Sequence, residues 1–415
     1  MSIRSAICAY CALLALATGF STNPAQAQGA AATGPPQDDI QPPPGLPLGS
    51  FRLHPSVTFY DAYDDNIYRT NTLPQDSFLV TINPSFTLAS NWGRHALEID
   101  GALEQYLYRS VRDENHTNFD VGGGGRLQLA DGMAADGRAS YTATHELRNS
   151  EDLPQNAITP TRYTILHADA DIVHERGRLS LRAGGRYDKY NFDPAKLLGG
   201  GLLDNTDRNR QEYEAYVKGN YEFSPGYSAF LRASYDHRKY TLSRDRFGID
   251  RNSDGYRVDA GIDMLVSRLI EGNVFAGYSI QRYSAPLGRV GGLDYGIKLT
   301  WSPTELVTVR LNGRRTIGET TIANAAADDE KSISGEVSYA FRRQISLHAD
   351  AGYINDHYSG AGRTDETLQA GTGAKYFMNE HVTWDIHYQY SRRTSPLNRF
   401  AYDDNTIMLG FLLRA

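Results

Sequence analysis

The amino-acid sequence predicts an all-β protein, a transmembrane antiparallel β-barrel of about 18 strands. Three observations lead to this prediction. Apolar and polar residues alternate one by one over most of the chain, short and long polar connections follow each other in turn, and all three tryptophans lie beside short turns. Each observation is typical of a barrel whose outside faces lipid and whose inside faces water.

The composition sets the first limits on what the protein does. Of 415 residues, 22% are charged and 27 are tyrosine, which argues against both a bundle of transmembrane helices and a disordered chain. The formal net charge of -7 excludes a generally basic nucleic-acid binder. We therefore expect no nucleic-acid partner.

Residues 1–27 have the pattern of a secretory signal peptide. Arg4 supplies the positive start, an apolar stretch over residues 6–20 follows, and residues 25–27 (AQA) form a small-x-small cleavage site. Cleavage would remove both cysteines, so the mature chain is predicted to contain no disulfide. Residues 28–50 follow as a proline-rich leader, which is either a flexible periplasmic segment or a docking strap for a periplasmic partner.

The remaining region, residues 51–415, has a hydrophobic period of two and is predicted to form the barrel. In one segment Leu97 and Ile99 alternate with Glu98 and Asp100. Successive strand side chains point to opposite faces, so one face is apolar and the other is charged. About eighteen such segments of roughly 10–15 residues occur, which is the length that a tilted strand needs to cross a bilayer.

The connections between these segments alternate in length. Short turns are predicted near residues 92–93, 131–132, 176–177, 224–226, 271–272, 302–303, 343 and 379–380. Longer polar loops are predicted near residues 64–77, 110–117, 147–162, 191–210, 241–255, 284–292, 317–331, 356–366 and 392–404. Outer-membrane barrels show this asymmetry, with short periplasmic turns and long external loops. We therefore expect the protein to lie in the outer membrane of a Gram-negative bacterium, with the membrane lipids around the barrel.

Aromatic residues mark the ends of the predicted strands. Trp92, Trp301 and Trp384 lie next to short turns, where a membrane–water interface holds rings that are apolar at one end and wet at the other. A soluble β-sandwich would alternate as well, because its apolar face packs into a core. The signal peptide, the turn asymmetry and the tryptophan positions favour the barrel.

If the apolar face meets lipid, the polar face lines a lumen that is wide enough for a water-filled channel. The predicted pore-lining side chains are Arg126, Arg182, Arg186, Arg232, Arg310, Arg314, Glu98, Asp100, Glu104, Glu212, Glu214, Tyr106 and Tyr216. Their mixed signs select weakly by charge and offer hydrogen bonds to a hydroxyl-rich solute, and the tyrosines offer stacking faces for sugar rings. The alternative is that the charges pair across the wall and only stiffen the barrel.

Residues 54–57 (HPSV) and the following 63–69 (YDDNIYR) resemble the opening of the Putative beta-barrel porin 2 family. The strand rhythm of the whole region 51–415 is similar to that family as well. The resemblance implies an outer-membrane conduit associated with exopolysaccharide export, and it supplies no catalytic residues.

Two groups of acidic residues are candidates for binding a divalent cation. Residues 62–66 (AYDDN) recur as residues 401–405, and a closed barrel makes the first and last strands neighbours. The candidate ligands at this outer rim are Asp64, Asp65, Asp403 and Asp404. The second group lies in residues 250–255 (DRNSDG), which match the first half of a calcium loop, and its candidate ligands are Asp250, Asn252 and Asp254. The alternative for both groups is an ordinary Asp- and Asn-rich turn.

Residues 197–203 (LLGGGLL) place leucines on a glycine-rich hinge inside a long loop. Such leucines are either a constriction in the lumen or a latch onto a neighbouring barrel. No G-x-S-x-G or H-E-x-x-H motif occurs in the sequence, so it predicts no enzyme, and no cofactor apart from the candidate cation.

The leading functional hypothesis is an outer-membrane channel for the export of an exopolysaccharide by passive passage through a hydrated lumen. A periplasmic export complex would then supply direction and energy. One alternative is a general diffusion porin for small solutes, and another is a non-conducting surface or adhesion barrel. The sequence leaves the transported molecule, the oligomeric state and the closure of the lumen by loops open.

Overall fold

The computed structural model describes residues 43–415, except residues 155, 267 and 268. The predicted signal peptide and most of the predicted leader lie outside this range. The end of the leader, Leu46–Leu48, forms a short strand that folds back on Phe51–Leu53. No helix among the described residues is long and apolar enough to span a membrane.

Within the described residues, eighteen antiparallel strands form one closed barrel, so the predicted fold class and strand number are confirmed. Each strand pairs with its neighbours in sequence, and the first strand pairs with the last from Ser56–Arg414 to Asp64–Thr406. In chain order, β1 to β18 are Phe51–Asp64, Ser77–Ser90, Ala96–Tyr108, His116–Ala130, Met133–His145, Arg162–Arg176, Leu179–Phe192, Arg210–Ser224, Tyr227–Tyr240, Ser253–Val266, Ile270–Tyr283, Arg289–Trp301, Val307–Gly318, Asp328–Arg342, Ile345–Tyr358, Arg363–Phe377, Val382–Thr394 and Tyr402–Arg414.

The predicted alternation sets the two faces of the wall. Large apolar side chains such as Leu181 and Leu293 point outward and are 54% and 63% exposed, because the barrel offers them no core. Their polar neighbours Arg182 and Asp294 turn inward and form ion pairs with inward side chains of other strands. An apolar outside and a polar inside are what a bilayer requires of a transmembrane barrel.

Short turns and long loops occupy opposite ends of the barrel, as predicted. The long loops span residues 65–76, 109–115, 146–161, 193–209, 241–252, 284–288, 319–327, 359–362 and 395–401. One predicted turn is wrong: Glu271 and Gly272 lie within β11, paired with Leu265 and Met264. The apolar residues on both sides continue the ladder past this Glu-Gly pair, so the connection comes earlier, between Val266 and Ile270.

The ladder between β12 and β13 is incomplete. It contains six residue pairs, from Trp301–Val309 to Gly296–Arg314, and stops there. Strand β12 nevertheless continues toward the long-loop end as far as Arg289 and remains paired with β11. Past this point the Arg315 guanidinium donates to the Leu293 carbonyl at 3.1 Å and binds the Asp329 carboxylate at 2.6 Å. This side chain therefore bridges the two strands where backbone pairing ends.

Candidate functional site: the lumen and its outer mouth

The predicted pore-lining residues alternate with the lipid-facing ones and so share the inward side of the wall. Most of their charges are paired. Arg182 lies 2.7 Å from Asp171 and 3.5 Å from Asp136, which also binds Arg126 at 3.1 Å. The Tyr216 hydroxyl donates to Asp171 at 3.1 Å. This network joins β4 to β8 along the inner surface.

Other predicted lumen charges pair in the same way. Further ion pairs are Arg138–Asp100 at 2.7 Å, Arg186–Glu214 at 3.3 Å, Arg210–Glu212 at 2.7 Å, Arg232–Asp259 at 2.5 Å and Arg310–Glu336 at 2.6 Å. Glu104 accepts hydrogen bonds from Asn83 and Tyr106, while Glu98 is exposed. Arg314 also has an interaction partner. Paired charges of both signs give a hydrated wall with little net field. That these residues line a conducting path stays a prediction.

The inward aromatic rings are covered by neighbours that sequence reasoning did not identify. Tyr106 stacks on His116 with ring centroids 4.6 Å apart, and Arg210 lies 4.1 Å above the ring of Tyr190. Lys218 covers Phe230 in the same way at 4.1 Å. His116 and Arg210 lie directly opposite these rings on the neighbouring strand, and Lys218 lies diagonally across from Phe230. Strand pairing was therefore the signal needed to find them. One face of each ring is therefore unavailable to a sugar.

A different wall sector carries almost no charge. On β2 the inward positions between the two ends are Leu79, Thr81, Asn83, Ser85 and Thr87. The neighbouring β1 contributes Ser56 and Thr58, and the hydroxyls of Ser56 and Ser85 lie 2.7 Å apart. We call these inward positions of β1 and β2 the hydroxyl sector. It offers uncharged donors and acceptors directly beside ion-paired wall.

One external loop, residues 146–161, crosses the outer mouth, and we call it the mouth loop. It leaves the barrel between β5 and β6, and its Asp152 carboxylate accepts hydrogen bonds from the Thr321 amide and hydroxyl, both at 2.9 Å, in the loop between β13 and β14. On β17, Arg393 donates to the Asn149 carbonyl at 2.8 Å. These contacts lie far around the barrel from β5, so the loop spans the opening.

Arginines from several elements hold the mouth loop in place. Arg148 of the loop binds Glu114, with one contact at 2.9 Å, and Arg208 of the loop before β8 binds Glu146 at 3.0 Å. Beside it, Arg251 donates to the carbonyls of Thr320 and Ala325 and so fixes the loop that Asp152 contacts. The sequence analysis did not predict that the mouth loop crosses the opening. The signal in the sequence was the density of charged residues in residues 146–152.

Electrostatics make the mouth loop sensitive to protonation. Burial, reinforced by the adjacent Asp152 carboxylate, raises the pKa of Glu151 to about 7. Arg393 opposes this shift, and the Asp356 carboxylate adds to it. Glu151 therefore titrates near neutral pH while it lies docked against the far wall.

The leucine-rich segment forms a small hairpin that is tied to the mouth loop. Ala195–Lys196 and Leu202–Leu203 pair as a small hairpin, which also joins the mouth loop through the Leu198 amide and the Asn156 carbonyl at 2.7 Å. Leu198 and Leu202 are 65% and 67% exposed. The hairpin is therefore held by the backbone of the mouth loop. A constriction in the lumen and a latch onto a neighbouring barrel both stay predictions for its exposed leucines.

The two candidate cation groups fare differently. Asp64, Asp65 and Asp404 come together at the closure of the barrel, with one carboxylate oxygen of each within 4.8 Å of the others. Asp403 does not join them, because strand alternation turns it outward, where it accepts a hydrogen bond from Tyr390 at 2.7 Å. The proximity of the two repeated segments was therefore predictable, and the fourth ligand was not.

The calcium-like segment has no shared centre. Asp250 accepts from the Asn252 amide at 3.0 Å, and the Asn252 side chain accepts from the Tyr240 amide at 2.7 Å. Asp254 binds the Tyr235 hydroxyl at 2.6 Å. The three groups have separate partners in place of the ligand ring that the motif predicts, because β10 begins at Ser253 and pulls Asp254 into the sheet.

Among solved structures, the chain is similar to Pseudomonas aeruginosa OccK3 (OpdO), with 13% identity and a TM-score of 0.45 over 87% of this chain and 96% of that one. It is also similar to the outer membrane protein opdK of the same organism, with 12% identity and a TM-score of 0.44 over 88% and 98% of the two chains.

No curated protein matches the sequence significantly. A family model described as Putative beta-barrel porin 2 matches residues 41–415. This match covers the whole barrel and confirms the resemblance seen in the sequence. The protein is a porin-like outer-membrane barrel of a family of channels rather than enzymes, and the chain belongs to the Putative beta-barrel porin 2 family.

Proposed function

We propose that the barrel is an outer-membrane channel through which an exopolysaccharide leaves the cell. The channel itself is passive, and a periplasmic export complex supplies the direction and the energy. The observation that carries this proposal is the hydroxyl sector. A sugar polymer needs a wall that exchanges hydrogen bonds with it without holding it, and uncharged hydroxyl and amide groups do so more weakly than charged ones. Ion pairs over the rest of the wall keep the lumen hydrated and rigid.

Export of a polymer requires the mouth loop to move. Its contacts include buried ion pairs such as Arg208–Glu146, which are costly to break one at a time. A polymer that arrives under the drive of an export complex would displace the loop as a unit. The same loop would keep the lumen narrow when no polymer is present.

A direct test places a charge in the hydroxyl sector. Ser85→Arg adds a guanidinium among neutral groups, whereas the matched control Ser334→Arg adds one on β14, beside the ion pair of Arg310 and Glu336. In planar bilayers, added neutral and anionic polysaccharides should interrupt the current of the unmodified channel. Ser85→Arg should lengthen interruptions by the anionic polymer, and Ser334→Arg should do so less. Equal effects of the two variants would contradict the proposed path.

The mouth loop itself favours the second candidate, a general diffusion porin for small solutes. A mouth loop that stays docked would obstruct a polymer more than a small molecule. A deletion strain separates the two functions: loss of secreted polymer with normal solute uptake supports export, and the reverse result supports diffusion. A purified barrel that carries no current would indicate a surface or adhesion barrel.

A further inference from the structure

The repeated segments of the sequence meet at the closure of the barrel and interlock. The Asp65 amide donates to the Asn405 carbonyl at 3.2 Å, and the Asn405 amide and side chain both donate to the Asp65 carboxylate at 2.8 Å. Asn66 donates to the Asp403 carbonyl at 2.7 Å. The first external loop is thereby fastened to the start of the last strand.

This arrangement concentrates negative charge. We call Asp64, Asp65 and Asp404 the seam cluster; one carboxylate oxygen from each lies within 4.8 Å of the others. The guanidinium of Arg69 contacts the cluster, with its Nη2 atom 3.4 Å from Asp404 Oδ2. Three carboxylates against one guanidinium leave a formal charge of about -2 when all are ionised.

One oxygen of the cluster is buried without a donor. Asp404 is 2% exposed, and its Oδ1 atom has no hydrogen-bond partner. A buried carboxylate oxygen in this state is costly, because it has lost water and gained nothing in exchange. The Asp64 carboxyl lies beside it, and its Oδ1 atom accepts a hydrogen bond from the Asn66 amide at 2.8 Å. The unpartnered Oδ1 atom of Asp404 can be satisfied by a cation or by a proton shared with a neighbouring carboxylate.

We propose that the seam cluster binds a divalent cation, with Ca²⁺ as the best fit, and that this ion fastens the first external loop to the last strand. Calcium takes six to eight oxygen ligands at about 2.3–2.6 Å, so two oxygens that share one ion lie at most about 5 Å apart. The spacing of the seam cluster meets that limit. Carboxylate oxygens are also the ligands that this ion prefers, and its charge balances the excess that Arg69 leaves.

The chain supplies its own control in Asp403. This residue precedes Asp404 in the sequence and carries the same carboxylate, but it points outward to Tyr390 and Arg392 and is 54% exposed. Asp404→Asn and Asp403→Asn therefore remove one negative charge each from adjacent positions. They differ in whether the lost oxygen belongs to the seam cluster.

The experiment measures thermal unfolding of the refolded barrel in detergent, first with a chelator and then with 1 mM Ca²⁺, which is about 100 times a dissociation constant of about 10 µM. The unmodified chain should gain about 2–5 °C in melting temperature with Ca²⁺. Asp403→Asn should gain as much, and Asp404→Asn should gain nothing. Mg²⁺ should be less effective, since it demands tighter octahedral geometry.

Two results would overturn the proposal. One is the absence of any calcium-dependent rise in the unmodified chain, together with no heat of calcium binding by titration calorimetry, which would leave a shared proton as the balancing charge. The other is an equal rise in both variants, which would place the ion elsewhere. If Asp404→Asn does not refold, Asp65→Asn makes the same comparison, because Asp65 is less buried and its neighbours remain.

Discussion

At the scale of single residues, Asp171 is the centre of the best-connected lumen network. It is 7% exposed and binds both the Arg182 guanidinium and the Tyr216 hydroxyl. Asp171→Asn keeps the shape and removes one negative charge, so it should cost about 1–3 kcal/mol of unfolding free energy. It should also shift ion selectivity toward anions, because Arg182 loses its main counter-charge.

The zero-current potential across a potassium chloride gradient measures this shift. Asp131→Asn serves as the control, since Asp131 lies exposed in the short turn between β4 and β5, outside the lumen. An unchanged potential in Asp171→Asn would show that the network lies off the conducting path.

Glu151 makes a pH-dependent prediction at the same scale. Its pKa in the docked loop, about 7, lies above its ordinary value of 4.5. The docked state therefore binds a proton more tightly than the free loop does. This contribution to docking is complete below pH 4.5 and is lost as the pH rises through 7. Conductance should consequently increase between pH 5 and pH 8, as the loop loosens.

The matched variant is Glu151→Gln, which mimics the protonated side chain at every pH. Its single-channel conductance should stay near the low-pH level of the unmodified channel over the whole range. A conductance that rises equally in both proteins would assign the titration to another group.

At the scale of elements, the mouth loop spans the opening through the contacts of Asp152 and Asn149. Replacing residues 150–157 by a short glycine-serine link removes the Asp152 contacts across the mouth but leaves both ends of the loop on β5 and β6. Single-channel conductance should rise severalfold, because the narrowest cross-section of a pore dominates its resistance. Removal of Gly200 alone, at the exposed tip of the neighbouring hairpin, should leave conductance unchanged.

The interrupted ladder between β12 and β13 relies on Arg315. This residue is 8% exposed and binds Asp329 as well as the Leu293 carbonyl. Arg315→Leu leaves a carboxylate without its counter-charge and a strand carbonyl without a donor, so it should cost about 3–5 kcal/mol of unfolding free energy. Urea unfolding, followed by tryptophan fluorescence, measures this loss.

The control for the ladder prediction lies on the same strand. Arg310 pairs with Glu336, and both side chains are about one fifth exposed, at 20% and 21%. Because water screens this pair, Arg310→Leu should cost about 1 kcal/mol or less. Equal losses in the two variants would mean that Arg315 does not stabilise the interrupted ladder between β12 and β13 more than an ordinary ion pair does.

At the scale of the whole molecule, the barrel was predictable because its cause is local. A lipid outside and water inside impose a period of two on every strand, so strand number, loop ends and the meeting of residues 62–66 with 401–405 all follow from the sequence. The misplaced turn at Glu271 and Gly272 shows the limit: turn-forming residues lose when apolar neighbours continue the ladder.

The candidate site was less predictable because its contacts join distant parts of the chain. Asp152 and Thr321 are 169 residues apart, and no periodicity relates two loops. The same holds for Arg210 above Tyr190, whose proximity depends on strand register. Adjacent residues of a strand point to opposite faces, so only one of Asp403 and Asp404 can join the seam cluster. The register of β18 shows that it is Asp404.

The glycine tip of the hairpin at residues 195–203 gives the molecule an accessible handle. Gly199, Gly200 and Gly201 all have positive φ angles, 88°, 89° and 106°, and nothing packs around them. A peptide tag inserted there should disturb no contact of the barrel. An antibody against the tag should then label living, unpermeabilised bacteria, whereas a tag in the turn at Asp131 should stay hidden until the envelope is opened.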